Sequence, residues 1–236
     1  MSKNHNGYQV TFLVRLFRLI FRPIFRLIFH LICEVRISGL ANIPNNGRYI
    51  IVINHISIIE PPFVIAFWPI APEAVGAKEI WERKGQSLLA KSYGGIQVRR
   101  GEFDKQVIDS MIAVLNSGHP MLIAPEGGRS HTPGMRTGLP GVAYIAEKTK
   151  SPILPVGIIG STDDFLDQAI RLKRPVLEMN IGKITSLPGI EGRGEQRRIE
   201  LQKNTDIIMY KLAELLPPSY QGVYANGNAN PSKTTQ

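Results

Sequence analysis

Hydrophobic positions change their period along the chain, and the first change divides it. From Val10 to Cys33 the run VTFLVRLFRLIFRPIFRLIFHLIC is apolar except for Thr11, for Pro23 and for Arg15, Arg18, Arg22, Arg26 and His30, the last five recurring at steps of three and four residues. On a helix turning about 100° per residue these five fall within an arc of about 120°, so the spacing predicts a helix with a narrow cationic stripe and a wide apolar face. Pro23 lies inside it and is expected to kink it or divide it into two shorter helices. Beyond Cys33 short apolar runs alternate with turn residues and helical periods. They predict strands over 35–38, 49–53, 73–77, 95–98, 121–124, 153–158 and 176–181, with helices over 61–68, 86–93, 103–116, 138–148 and 195–215. The expected architecture is α/β: a single domain over 34–216 with a central mixed β-sheet flanked by helices, preceded by an N-terminal amphipathic membrane-interface helical segment over 1–33. The end of the chain, PPSYQGVYANGNANPSKTTQ over 217–236, has the composition of a disordered tail.

Composition narrows this picture. A chain of 236 residues that is 43% hydrophobic can bury one real core, which excludes a disordered protein. The net charge of +9 is unevenly spread: residues 1–33 hold five basic residues and no acid, leaving 23 basic against 19 acidic residues elsewhere. A transmembrane reading of the first segment is disfavoured, because each mid-bilayer Arg costs about 2.5–3.5 kcal/mol against gains of about 0.3–0.6 for each Leu or Phe. A cleaved signal peptide is disfavoured by the arginines recurring through what should be an uninterrupted apolar core. The pattern fits a helix lying in the interface, with Arg15, Arg18, Arg22 and Arg26 toward an anionic membrane surface and the apolar face in the acyl layer. The alternative is an amphipathic helix packed on its own domain. A nucleic-acid arm is disfavoured, since such arms are not filled with aliphatic residues. The single Cys33 can form neither an intrachain disulfide nor a cysteine-based zinc site, which suggests a reducing compartment.

Chemistry-bearing residues gather where strands are predicted to end, the place where open α/β sheets form ligand clefts. After the strand YIIVI comes Asn54-His55-Ile56-Ser57-Ile58-Ile59-Glu60-Pro61-Pro62. A carboxylate five residues after a histidine lies about 140° away on a continuous helix, so the two meet only across a turn, and Pro61 favours one. Glu60 would then orient the His55 imidazole and leave its other nitrogen to take a proton from a hydroxyl. A strand ending in Val98-Arg99-Arg100-Gly101 supplies cations suited to phosphate oxygens. Another ends in Ala124-Pro125-Glu126-Gly127-Gly128-Arg129-Ser130, where glycines allow close backbone approach to a substrate. For Glu126, a salt bridge shaping the loop and direct contact with substrate both fit. Ile56, Ile58 and Ile59 could face the membrane, line an acyl path or fill the core.

Taken together and in this order, the Asn54-His55-x4-Glu60, Val98-Arg99-Arg100-Gly101, Pro125-Glu126-Gly127-Gly128-Arg129-Ser130 and Pro152-Ile153-Leu154-Pro155-Val156 blocks resemble the glycerolipid acyltransferases of the 1-acylglycerol-3-phosphate acyltransferase family. The resemblance spans roughly 35–159. It implies a catalytic role for His55 with Glu60 as its acidic partner. It implies acceptor-phosphate binding by Arg100 with Arg99 beside it and by Glu126, Gly127, Gly128, Arg129 and Ser130, and an acyl side formed partly by the 152–156 strand. The chain departs from the family pattern in four places: Glu60 stands where Asp is usual, Gly128 where Thr is more frequent, Ala124 where an aromatic is, and the turn between His55 and Glu60 is unusually apolar, with Ile56, Ile58 and Ile59.

The expected reaction is direct transfer of a fatty acyl group from a thioester co-substrate, acyl-CoA or acyl carrier protein, to a lysolipid hydroxyl with no covalent acyl-enzyme. Backbone N–H groups near Gly127 are the expected oxyanion donors. No Gly-x-Ser-x-Gly elbow is present, and His55, Glu60 and His131 lack metal-ligand spacing, so no serine nucleophile, metal or other cofactor is expected. The expected location is the cytoplasmic face of a membrane. Two other readings remain at this stage: a non-catalytic lipid-binding module on the same fold, and a lysolipid hydrolase or transacylase.

Overall fold

The computed structural model describes residues 7–45, 47–99 and 104–225. Arg100 and Gly101 of the predicted phosphate-binding block lie outside the described residues. Seven strands form one sheet: β1 (Glu34–Ser38), β2 (Ile50–Ile53), β3 (Glu73–Ala77), β4 (Ile96–Val98), β5 (Met121–Ile123), β6 (Ile153–Ile159) and β7 (Val176–Ile181). Their spatial order is β1-β7-β6-β2-β5-β3-β4, parallel at every pairing except the antiparallel β6–β7. The sheet is therefore mixed, as expected. Central β2 is buried at all four residues, because helices cover both faces of the sheet and each side chain of the pleat meets a core.

Alternation along β2 feeds two cores. Ile51 and Ile53 face a layer containing Phe21, Phe29, Phe63 and Trp68, from α1 (Phe12–Ile32) and α2 (Glu60–Phe67) with the residue that ends it. Ile50 and Val52 face the opposite layer, where α5 (Lys105–Asn116), α6 (Gly141–Thr149) and α8 (Gly194–Ala213) supply Leu115, Ile145 and Ile208. Short α3 (Glu79–Glu82) and α4 (Gln86–Tyr93) connect β3 to β4, and α7 (Phe165–Ile170) connects β6 to β7. The pattern of hydrophobic positions did not predict α3 or α7.

Two expectations about the chain ends change. Pro23 neither divides nor ends α1, which runs uninterrupted from Phe12 to Ile32. The segment expected to be wholly disordered from residue 217 is folded up to residue 225, as α9 (Pro218–Gln221) and a final 3₁₀ turn over Gly222–Tyr224. Tyr224 is buried there against Met135, Met209 and Leu212.

The cationic stripe of α1 also faces the other way from that expected. Arg18 is buried and forms a bidentate ion pair with fully buried Glu73, at 2.6 Å for both contacts, and donates from Nε to the Tyr93 carbonyl at 3.0 Å. Arg22 donates to the carbonyls of Ile65 and Trp68, and Arg26 to that of Ala66. The last turn of α2 leaves carbonyls without intrahelical partners and carries the negative end of the helix dipole, so cations are stabilised there. Arg18, Arg22 and Arg26 consequently serve the domain rather than a headgroup layer, while Arg15 is exposed. What α1 presents outward is apolar: Phe12, Leu13, Leu19, Ile24, Leu27 and Leu31 are all exposed, with Leu19 at 73%. Phe21 and Phe29 point inward.

Candidate active site

The site is built at the C-terminal end of β2, beside the ends of β6 and β5. Asn54 leaves β2 and locks it to β6, its amide donating to the Ile158 carbonyl at 2.9 Å and its carbonyl accepting from the Ile158 N–H at 2.7 Å. His55 follows. The chain turns over residues 55–59 before α2 begins, and Glu60 in the first turn of that helix reaches back, its Oε2 3.0 Å from His55 Nδ1. Pro61 and Pro62 suit the start of α2, where N–H groups have no intrahelical partner. Glu60 is fully buried, and its other oxygen, Oε1, accepts from the N–H groups of Ile56 at 3.1 Å and Ser57 at 2.8 Å and from the Ser161 hydroxyl at 2.5 Å. The contact engages Nδ1 and leaves Nε2 as the ring nitrogen for a substrate hydroxyl, and the His55 side chain keeps 16% exposure.

Among the described residues Glu126 forms no salt bridge. It is buried, and its two oxygens accept from the backbone N–H of His55 at 2.9 Å and of Arg136 at 2.8 Å. Burial holds its carboxyl above the ordinary value, partly offset by these two hydrogen bonds. Glu126 thus staples the loop after β5 to the histidine. The loop is held again by Ser130 N–H to the His55 carbonyl at 2.8 Å and His131 N–H to the Ile56 carbonyl at 3.2 Å. Arg129 lies between these tethers and the two glycines, so its backbone is next to the histidine turn. Gly127 has φ +65°, and a Cβ there would lie 2.4 Å from Leu139 Cδ1. The Gly127 N–H donates to the Ala124 carbonyl at 3.2 Å, so that N–H is committed to a turn rather than aimed at an oxyanion.

Arg99 follows β4, three strand spacings from β2, about 14 Å to the side of His55. Of the three isoleucines in the turn, Ile56 is buried, Ile59 packs on the core and Ile58 is 39% exposed. Among the described residues no group of three or more His, Cys, Asp or Glu is placed to hold a metal ion.

Three contributors escaped the reading of motifs. Ser161 lies just past β6 and holds Glu60, a place signalled only by its position at a strand end. Arg136 shares the Glu126 carboxylate with His55, so its backbone is tied to the same turn. The third is the C-terminal segment, which straps down the loop: Met135 N–H donates to the Tyr220 carbonyl at 3.0 Å, Val223 N–H to the Met135 carbonyl at 3.2 Å, and Gly138 N–H to the Tyr224 hydroxyl at 3.0 Å. Gly222 has φ +53°, and a Cβ there would meet Met135 O at 2.2 Å. Between loop and strap runs a groove of ≈ 700 Å³, whose lining includes Glu126, Gly127, Met135, Arg136, Leu139 and Val223.

The sequence model of the Acyltransferase family matches residues 34–159, from the start of β1 to the end of β6. Among solved structures, the crystal structure of PlsC, the 1-acyl-sn-glycerophosphate (LPA) acyltransferase of Thermotoga maritima, is similar with a TM-score of 0.59. It is 20% identical over 83% of this chain and 79% of that one, a likeness of fold. The matched family span contains His55, Glu60 and the Glu126–Ser130 loop but leaves out α1, α7 and the C-terminal strap.

Proposed function

The chain belongs to the acyltransferase family, and from that premise we propose that it moves a fatty acyl group from a thioester, acyl-CoA or acyl carrier protein, to the hydroxyl of a lysophosphatidic acid or related lysolipid. The observation that carries the reading is the His55 Nδ1–Glu60 Oε2 contact of 3.0 Å, with the opposite imidazole nitrogen left for substrate. His55 Nε2 takes the hydroxyl proton as the oxygen attacks the thioester carbonyl. The tetrahedral intermediate then expels the thiolate, breaking the C–S bond, and the imidazolium returns the proton to sulfur. Glu60 stabilises the imidazolium between these steps. A positioned base of this kind contributes about 10²–10⁴ in rate, and alignment of the two substrates supplies much of the remainder.

The acceptor is an amphiphile, and the groove lined by Glu126, whose carboxylate accepts from the His55 N–H, suits one, with Leu139 and Val223 on its walls and Arg136 at its rim. Arg129, tethered next to the histidine turn, is the matching cation for a phosphate. No helix among the described residues is long and apolar enough to cross a membrane. The exposed apolar face of α1 instead supports attachment in the interface, on the cytoplasmic face where thioester donors are made.

The decisive experiment is lipid mass spectrometry of products formed by the purified protein from a panel of lysolipids with acyl-CoA or acyl carrier protein. A diacyl product that requires a phosphate-bearing acceptor, is lost in His55→Ala and weakens in Arg129→Lys is the expected result. Release of free thiol at the same rate without acceptor would make the protein a hydrolase instead.

A further inference from the structure

With Arg18, Arg22 and Arg26 turned inward, Arg15 alone of the α1 arginines stays exposed, and further cations that could sense lipid charge are found elsewhere on the surface. The end of α7 and the turn after it read Ile170-Arg171-Leu172-Lys173-Arg174. It is a knuckle that pushes apolar groups into solvent: Ile170 is 78% and Leu172 81% exposed, and neighbouring Leu166, one turn back from Ile170, is 42% exposed. Its backbone is strained. Leu172 has φ +57° and Arg174 φ +46°, a left-handed conformation that a bulky non-glycine residue rarely adopts and that persists where surroundings enforce it. Arg171 and Lys173 flank the exposed leucine and are themselves exposed. The acidic residues of this connection, Asp163, Asp164 and Asp167, precede the knuckle, and Asp164 is engaged by Thr162 and Gln168.

The knuckle is fixed against the end of α1. Arg174 donates to the His30 carbonyl at 3.1 Å, and Glu34 N–H donates to the Pro175 carbonyl at 3.0 Å. It therefore lies beside the end of α1 that carries the exposed Leu27 and Leu31. The other end of the same connection is Ser161, which holds Glu60.

We propose that the 170–174 knuckle is a second lipid-contact site, in which Leu172 and Ile170 enter the acyl boundary while Arg171 and Lys173 bind anionic headgroups. The inference rests on the interfacial reading of α1 and goes beyond it. One linear attachment leaves the domain free to roll about the α1 axis; a second one off that axis fixes the roll and hence the height of the His55 turn above the lipid. Apolar groups flanked by cations match the layering of an anionic bilayer surface, with headgroup charge outside and acyl chains beneath.

The test uses the full chain with an environment-sensitive dye on Leu172→Cys, or on Leu19→Cys as a control in α1, both in a Cys33→Ser background. Vesicles of phosphatidylcholine with and without phosphatidylglycerol, some carrying brominated acyl chains, report insertion. The expected result is a blue shift and bromine quenching at both positions. Leu172→Asn accepts the left-handed backbone better than Leu, so its melting temperature should stay level or rise while vesicle affinity falls about tenfold. Arg171→Gln and Lys173→Gln should each lower affinity for anionic vesicles about fivefold at low salt and leave zwitterionic binding unchanged. A dye on residue 172 that stays in water while the α1 dye inserts would overturn the knuckle and leave the α1 reading intact. Silence at both positions would overturn membrane attachment itself. Shielding at 172 that depends on protein concentration without vesicles would reassign the patch to self-association and overturn the proposal.

Discussion

Replacing Glu60 by Gln tests the mechanism through the unequal loading of its two oxygens. Among the described residues Oε1 accepts three donors, from Ile56, Ser57 and Ser161, whereas Oε2 accepts from His55 Nδ1–H alone. An amide has one oxygen and one NH₂, so the variant must choose an orientation. Turning the NH₂ toward Ile56 and Ser57 sets buried donors against donors and leaves two backbone N–H groups unsatisfied, at about 1–3 kcal/mol each. Turning it toward His55 avoids that, and is preferred by about 2–6 kcal/mol by the same accounting. The NH₂ then needs an acceptor, and Nδ1 becomes one; the proton moves to Nε2, where the lone pair was required. The base is thus in the wrong tautomer in all but a fraction of molecules. The expected loss in kcat is on the order of 10²–10⁴, with acceptor KM little changed. Steady-state rates with saturating thioester, beside circular dichroism to verify the fold, measure it. Glu60→Asp keeps the charge at a shorter reach and should fall between the two. A Glu60→Gln enzyme within about tenfold of wild type would refute the tautomer argument and the base assignment resting on it.

Arg18→Met should cost about 3–5 kcal/mol in urea unfolding, because Glu73 is left charged and buried, and adding Glu73→Leu should recover most of it; a stable Arg18→Met that instead loses preference for anionic lipid would restore the outward orientation. Glu126→Gln leaves the N–H of His55 or Arg136 against an amide NH₂ and should lower stability by about 1–3 kcal/mol. The native state holds the Glu126 proton to higher pH than the unfolded chain does, so this group makes stability fall as pH rises from the ordinary carboxylate value through the raised one. The variant should flatten that slope, and an unchanged slope across mildly acidic pH would remove Glu126 as its source. Gly222→Ala drives a Cβ into Met135 and should shift the strap, raising acceptor KM about 10- to 100-fold while donor KM holds; equal changes in both constants would mean the strap does not position the acceptor loop.

What could be read from the chain, and what could not, divides on whether a signal is local. The strands of the central sheet are short apolar runs bounded by turn residues, and their physics is contained in a few neighbours, so their positions were legible to within a residue or two. The His55–Glu60 turn was legible for the same reason, since Pro61 and five-residue spacing are local facts. Ser161 and Arg136 were not, because each reaches the site by a contact made across the fold. The tail misled through composition: PPSYQGVY looks like a solvated end, yet Tyr220, Val223 and Tyr224 hold a distant loop by hydroxyl and backbone contacts that amino-acid frequencies do not register. The α1 stripe shows the limit most clearly. Periodicity establishes that four arginines share one face, but a cationic face is stabilised equally by lipid phosphates or by helix-end carbonyls and a buried carboxylate. Only the arrangement of Glu73 and the end of α2 decides between them, and it decides for Arg18, Arg22 and Arg26 together. Because those same contacts hold the far end of the helix that carries Glu60, attachment of α1 and placement of the catalytic carboxylate are not separable. Truncations of the N-terminal segment should therefore lower kcat even in detergent, where no membrane needs to be reached, and full detergent activity in a chain lacking α1 would show that α2 holds its place without the arginines.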